Sequence, residues 1–137
     1  MADITNIKTI DENTREAVIS FQYQYVDGGN ESAVIKIDVS SLSNNANGGA
    51  CIGVRIVECW WVLHGMTVEV LSDADTDIIM MHLAEDQQGY LNFSKFGGLP
   101  STKSYGTNPT GDVKFTTTGA GATGDAYQVV LRVIKDY

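Results

Sequence analysis

Along residues 16–26, Ile19, Phe21, Tyr23 and Tyr25 alternate with Val18, Ser20, Gln22 and Gln24, placing aromatic and β-branched side chains on one face. A period of two in such residues predicts a strand. Asp27-Gly28-Gly29-Asn30 tolerates positive φ and predicts a turn, after which residues 31–39 alternate again with Ala33, Ile35, Ile37 and Val39 on one face. Residues 40–53 are rich in Ser, Asn and Gly and read as a loop. A strand over 53–64 comes next, ending in the apolar run Cys59-Trp60-Trp61-Val62-Leu63. Successive strand side chains point to opposite faces, so this run predicts cover on both. Gly65 breaks the pattern, and further strands are predicted over 66–71, 78–83, 90–94, 111–118 and 125–135, each bounded by turn residues.

About eight strands with long connections, no helix and no internal repeat predict an all-β, single-domain β-sandwich of jelly-roll-like form over residues 16–137, its strands taken as antiparallel. Composition agrees: glycine is 14 of 137 residues and charged residues are 19%, which suits many short elements and turns better than a helical bundle. A chain of this length buries roughly 68% of its unfolded surface without metal or disulfide. Residues 1–15 are polar, with Ile4, Ile7 and Ile10 three apart, and are expected to form an N-terminal arm, either frayed or ordered against a neighbouring subunit. Residues 95–110 hold Gly97-Gly98, Pro100, Gly106 and Pro109 with Phe96, Leu99 and Tyr105, an irregular stretch of the kind that often makes contacts.

Gly119-Ala120-Gly121-Ala122-Thr123-Gly124 spells the dinucleotide pattern G-x-G-x-x-G. That pattern needs a helix after the loop, another parallel strand, and an acidic residue about 20 positions on. Too few residues remain, and Tyr127, Val129, Leu131 and Val133 alternate as a strand does. The loop is therefore expected to turn the chain between two strands, with no nucleotide. Asp73, Asp75 and Asp77 resemble the start of a calcium loop, but Ile78 stands where Gly is needed and Ala84 where the bidentate Glu belongs. A solvated acidic turn is the plainer reading, with a weak cation site as the other. His64 and His82 lack partners at metal-ligand spacing. Cys51 and Cys59 suit neither a disulfide framework nor zinc. The expectation is no enzyme, no cofactor and no metal. A formal charge of −8 without a Lys/Arg cluster argues against nucleic acid and anionic membranes as partners. The first residues form no basic or apolar leader, so synthesis and folding in the cytosol are expected.

Large apolar groups on both faces at Trp60-Trp61, Ile78-Ile79-Met80-Met81 and Val129-Val130-Leu131 need cover, either from loops of the same chain or from another protein. Further along, Gln88-Gly89-Tyr90-Leu91-Asn92-Phe93, Phe96-Gly97-Gly98-Leu99, Gly111-Asp112-Val113-Lys114-Phe115-Thr116-Thr117 and Gly124-Asp125-Ala126-Tyr127-Gln128-Val129-Val130-Leu131-Arg132-Val133 resemble stretches of small virion structural proteins of tailed bacteriophages. The resemblance runs loosely over residues 31–135 and implies a jelly-roll-type capsid decoration, or cement, protein. Such a protein sits on the capsid exterior, is made in the host cytoplasm, binds the major capsid protein and bridges capsomers, and associates with itself as a dimer or trimer. On that reading Ile4, Ile7, Ile10, Trp60, Phe96, Leu99 and Tyr105 are the candidate capsid or subunit contacts. The alternative is a carbohydrate-binding β-sandwich module of a phage fibre or tail, which would need exposed aromatics beside polar side chains in a groove.

Overall fold

The computed structural model describes residues 3–137. Nine strands are present among them: β1 (Ile4–Glu12), β2 (Glu16–Gln24), β3 (Val34–Ile37), β4 (Gly53–His64), β5 (Thr67–Ser72), β6 (Ile78–Leu83), β7 (Gln88–Asn92), β8 (Val113–Thr118) and β9 (Ala126–Asp136). They form two antiparallel sheets, one in the order β1-β2-β9-β4-β7 and the other β3-β8-β5-β6. From β2 to β9 the chain crosses repeatedly between the two layers, the jelly-roll-like sandwich that the pattern predicted.

The inward positions of each strand fill the space between the layers. Ile19, Phe21 and Tyr23 on β2 and Tyr127, Val129, Leu131 and Val133 on β9 are buried against Val68, Val70, Val113 and Phe115 of the opposite sheet. At the centre Phe115 meets Phe21 edge-on, with ring centroids 5.1 Å apart, and Tyr127 likewise at 5.8 Å. Cys51 and Cys59 are buried free thiols, and burial pushes the Cys59 thiol up to about 12. Such a thiol is an apolar filler rather than a nucleophile.

Two sequence expectations change. The strand count rises from about eight to nine, because residues 4–12 of the segment expected as an arm pair with β2 along its length, from Ile4 opposite Gln24 to Glu12 opposite Ala17. The turn expected after β2 is present and carries the chain from one sheet to the other. The expected single face of Ala33, Ile35, Ile37 and Val39 is broken by a register shift between Ile35 and Ile37, which leaves Ile35 exposed and turns Lys36 inward. A bulge inserts one residue on one strand and so reverses the alternation beyond it.

The irregular stretch after β7 completes the sheet. Leu99 N–H donates to the Ile56 carbonyl and Thr102 N–H to that of Val54, so the chain runs on down the part of β4 that β7 leaves unpaired. Buried Thr102 ties this segment in: its hydroxyl accepts from Val54 N–H and donates to the Gly111 carbonyl. Gly111, at φ 91°, passes so close to Ile52 that a Cβ would lie 2.0 Å from its carbonyl oxygen. Only glycine fits there.

Candidate functional site

The two glycine-containing loops at one end of the sandwich are filled by the chain's own carboxylates. In the loop at 119–124, Gly121 and Ala122 donate backbone N–H bonds to Asp125 Oδ2, at 2.9 and 3.0 Å, and these hold the Asp125 carboxyl below the ordinary range. The loop cradles an anion, but that anion is Asp125, and β9 begins directly after it as a strand. Close by, Asp3 Oδ1 accepts from the N–H groups of Val26, Asp27 and Gly28 at 2.7, 2.9 and 2.9 Å, and Oδ2 from Gly29 at 2.9 Å. The Tyr23 hydroxyl reaches Asp3 Oδ2 at 3.0 Å and also the Gly29 carbonyl.

Asp3 is one of two clamps on β1. At the other end Glu12 Oε2 lies 2.7 Å from the buried Lys135 Nζ, which also donates to the Asn13 carbonyl and the Ser43 hydroxyl. All nine residues of β1 are exposed, so the strand contributes almost no apolar burial of its own. Backbone hydrogen bonds, led by that from Val26 N–H, hold the Asp3 carboxyl far below its ordinary value of 3.8. A depressed folded value means that ionisation of Asp3 favours the clamped state at neutral pH. That contribution fades as pH falls through the unfolded carboxylate range and onward. Amide exchange of β1 is expected to accelerate relative to β9 on acidification from about pH 5 to about pH 2. In Asp3→Asn the difference is expected to be present already at neutral pH and to change little with acid.

The sequence-derived contact candidates separate into groups. Ile4 lies on the outer face of the five-stranded sheet, Ile7 on the inner face where β1 overhangs the second sheet, and Ile10 at the bulge between Thr9 and Asp11. Trp60 is on the outer face and 38% exposed; Phe96, just beyond β7, is 67% exposed. Leu99 is half-buried and packs against the core, and Tyr105 is half-buried. Ile4 and Trp60 therefore share a face, while Ile7 and Phe96 lie at opposite edges of the sandwich.

The edge strands carry further apolar groups. Val34 and Ile35 are exposed on β3, Ile79 on β6 and Leu91 on β7. The connection after β3 meets β1, since Ser43 N–H donates to Glu12 Oε2, so β1 and β3 form one flank and β7 and β6 the other. Of the two sources of cover expected for β4, the chain supplies one in part. The segment at 93–99 buries Val57 to 2%, but Trp60 and Val62 stay open, Val62 at 53%.

Strand pairing sets the outer face of the large sheet out in rows. Asn6, Gln22, Gln128, Val62 and Gln88 lie side by side across five strands, and the next row is Lys8, Ser20, Val130, Trp60 and Tyr90. The Trp60 and Tyr90 rings stack with centroids 5.2 Å apart. Below them Glu58 accepts from the Tyr90 hydroxyl at 2.5 Å and from Arg132 at 2.6 Å, and Arg132 also reaches Glu16 at 2.9 Å. The bond from Tyr90, followed by that from Arg132, lowers the Glu58 carboxyl. Two adjoining depressions of about 450 and 560 Å³ open on this face and share Val62 and Gln128. Sequence reading found Trp60 but missed Tyr90, Val62 and the amide row. Their signal was the outward position of Trp60, Val62 and Tyr90 on strands whose other face was already apolar.

The acidic turn closes on an ammonium group. Lys114 Nζ lies 2.8 Å from Asp73 Oδ1 and 3.4 Å from Asp77 Oδ2, while Asp75 accepts from Asn108. Among the described residues no three His, Cys, Asp or Glu side chains gather where a metal ion could sit. His64 is exposed 4.0 Å from Asp125, and His82 is exposed 3.6 Å from Glu69. No protein-family model matches this chain, and no curated protein matches it.

Proposed function

We propose that this protein is a virion structural protein of a tailed bacteriophage that binds the outside of the capsid and cements neighbouring capsomers. The observation that carries the reading is the pair of apolar flanks: Ile7, Ile10, Val34 and Ile35 on the side of β1 and β3, and Ile79, Leu91 and Phe96 on the side of β6 and β7. One apolar flank suits a dimer or a single docking event. Two, at opposite edges of one small rigid sandwich, suit a bridge between neighbours. The clamping of β1 by Asp3 and Glu12 supports this, because the fold holds in place a strand whose isoleucines gain nothing from their own core. The acidic balance favours the exterior of a DNA-filled shell over its interior. In the proposed arrangement the partners are the major capsid protein and further copies of this chain, and many modest contacts add through multivalency.

The test is assembly. Purified protein is added to undecorated shells of its phage, and saturable binding and the shell's unfolding temperature are measured. Wild type is expected to bind and to raise that temperature. Ile7→Asp with Ile35→Asp on one flank, or Ile79→Asp with Phe96→Asp on the other, is expected to weaken binding by roughly tenfold or more. A variant that still binds through one flank is expected to lose the thermal protection, since it no longer bridges. Absence of saturable binding by the wild type would sink the proposal.

A further inference from the structure

The outer face of the five-stranded sheet carries a feature that two apolar flanks do not use. Its two depressions join at Val62 and Gln128 into one groove that crosses the strands from Ile4 and Asn6 on β1 to Gln88 and Tyr90 on β7. Five strands at about 4.8 Å spacing span roughly 19 Å, the reach of a chain rather than of one small molecule. We infer that this groove binds a neutral polysaccharide, with a sugar ring stacked on Trp60 and its hydroxyls held by the amides of Gln88, Gln128 and Gln22.

The chemistry of the lining selects that class. A sugar ring presents an apolar C–H face and a rim of hydroxyls that both donate and accept. The Trp60 ring, 38% exposed and stacked on Tyr90, offers aromatic surface for the first, and side-chain amides, each with a donor and an acceptor, match the second. Gln24, Gln88 and Gln128 make no side-chain hydrogen bond to another described residue, and Gln22 is engaged only with Asn6, at 3.3 Å. These amides are therefore available to a ligand. Trp60 is also pre-organised, because the Tyr90 hydroxyl is tied to Glu58 and Glu58 to Arg132. The two rows carry one charge, Lys8 at the far edge, and beyond them Arg132 pairs with both Glu58 and Glu16, so that border adds no free cation. The chain's net charge of −8 disfavours the approach of phosphate or uronate chains.

The test uses the full chain in native gels cast with dextran, mannan, galactan or mixed-linkage glucan, and with alginate as the anionic comparison. Retardation by at least one neutral polymer and none by alginate is expected. Trp60→Ala is expected to lower affinity by roughly tenfold or more, and Gln128→Ala by several-fold. Ile7→Asp, on a flank away from the groove, is expected to bind glycan as wild type does, so failure here is separable from failure of shell docking. The inference is overturned if no neutral polymer retards the protein or if Trp60→Ala is retarded like wild type. It is also overturned if sedimentation shows a dimer that Trp60→Ala converts to monomer, because the face is then covered by a second copy.

Discussion

Replacing Glu31 with alanine is expected to destabilise the fold by roughly 3–5 kcal/mol, more than any other change to a polar residue of the sandwich. Glu31 Oε2 lies 2.5 Å from Lys36 Nζ, and Glu31 Oε1 accepts from the Tyr127 hydroxyl at 2.7 Å. The Lys36 side chain is only 3% exposed, with its ammonium about 6 Å from the ring centroids of Phe115 and Tyr127. Removing the carboxylate leaves a buried cation and a buried hydroxyl unpaired, and the two rings cannot replace a full counter-charge. The double variant Lys36→Met with Glu31→Gln keeps an acceptor for Tyr127 and removes the charge, so it is expected to recover most of the loss. Urea unfolding of the three proteins at matched slope measures both steps. A loss under about 1 kcal/mol for Glu31→Ala would mean that Lys36 escapes to solvent and is not part of the core.

Lys36 also marks where sequence reading reached its limit. A lysine between Ile35 and Ile37 looks like an outward residue on an alternating strand, and the alternation placed both isoleucines inside. The bulge that reverses this depends on how β3 meets β8, which no local pattern encodes. The same holds for β4, whose shift between Ile56 and Glu58 lets Ile56 and Val57 both be buried. Strands such as β8 and β9 were legible because each buries one complete face, so period and core coincide. Strand β1 was not, because it buries neither face. What holds it is a ladder to β2 and two polar clamps formed with residues 20 or more positions away.

The glycine loop and the outer face show the same division at the level of function. That residues 119–124 turn the chain was readable from the segment after them, since β9 alternates and leaves no helix to carry a phosphate site. That the loop's amides hold Asp125 was not, although an aspartate directly after a glycine run was a usable hint. The Trp60 and Tyr90 pair lies on strands joined through β4 and β7, and Gln128 comes beside them only because β9 sits between β2 and β4. Sheet order, set by the whole topology, assembled the groove. The outward Trp60 was visible as an anomaly, and the neighbours that give it a chemical meaning were not.

Phe115→Ala and Trp60→Ala remove aromatic rings of comparable size and are expected to differ sharply. Phe115 is fully buried and packs edge-on against Phe21 and Tyr127, so its loss opens a cavity between two sheets that cannot close over it. The expected cost is about 3–5 kcal/mol. At a few degrees per kcal/mol for a chain of this size, the unfolding midpoint is expected to fall by roughly 10–20 °C. Trp60 is 38% exposed, with Tyr90 beside it on β7 and Val130 on β9. Its removal is expected to cost about 1 kcal/mol or less, near the worth of one surface aromatic pair. Thermal unfolding of the two variants beside wild type makes the comparison. A small loss for Trp60→Ala means that this ring is not retained to hold the sandwich together, which leaves recognition as its use. A loss equal to that of Phe115→Ala would make Trp60 a core residue and remove the ground for reading its face as a binding surface.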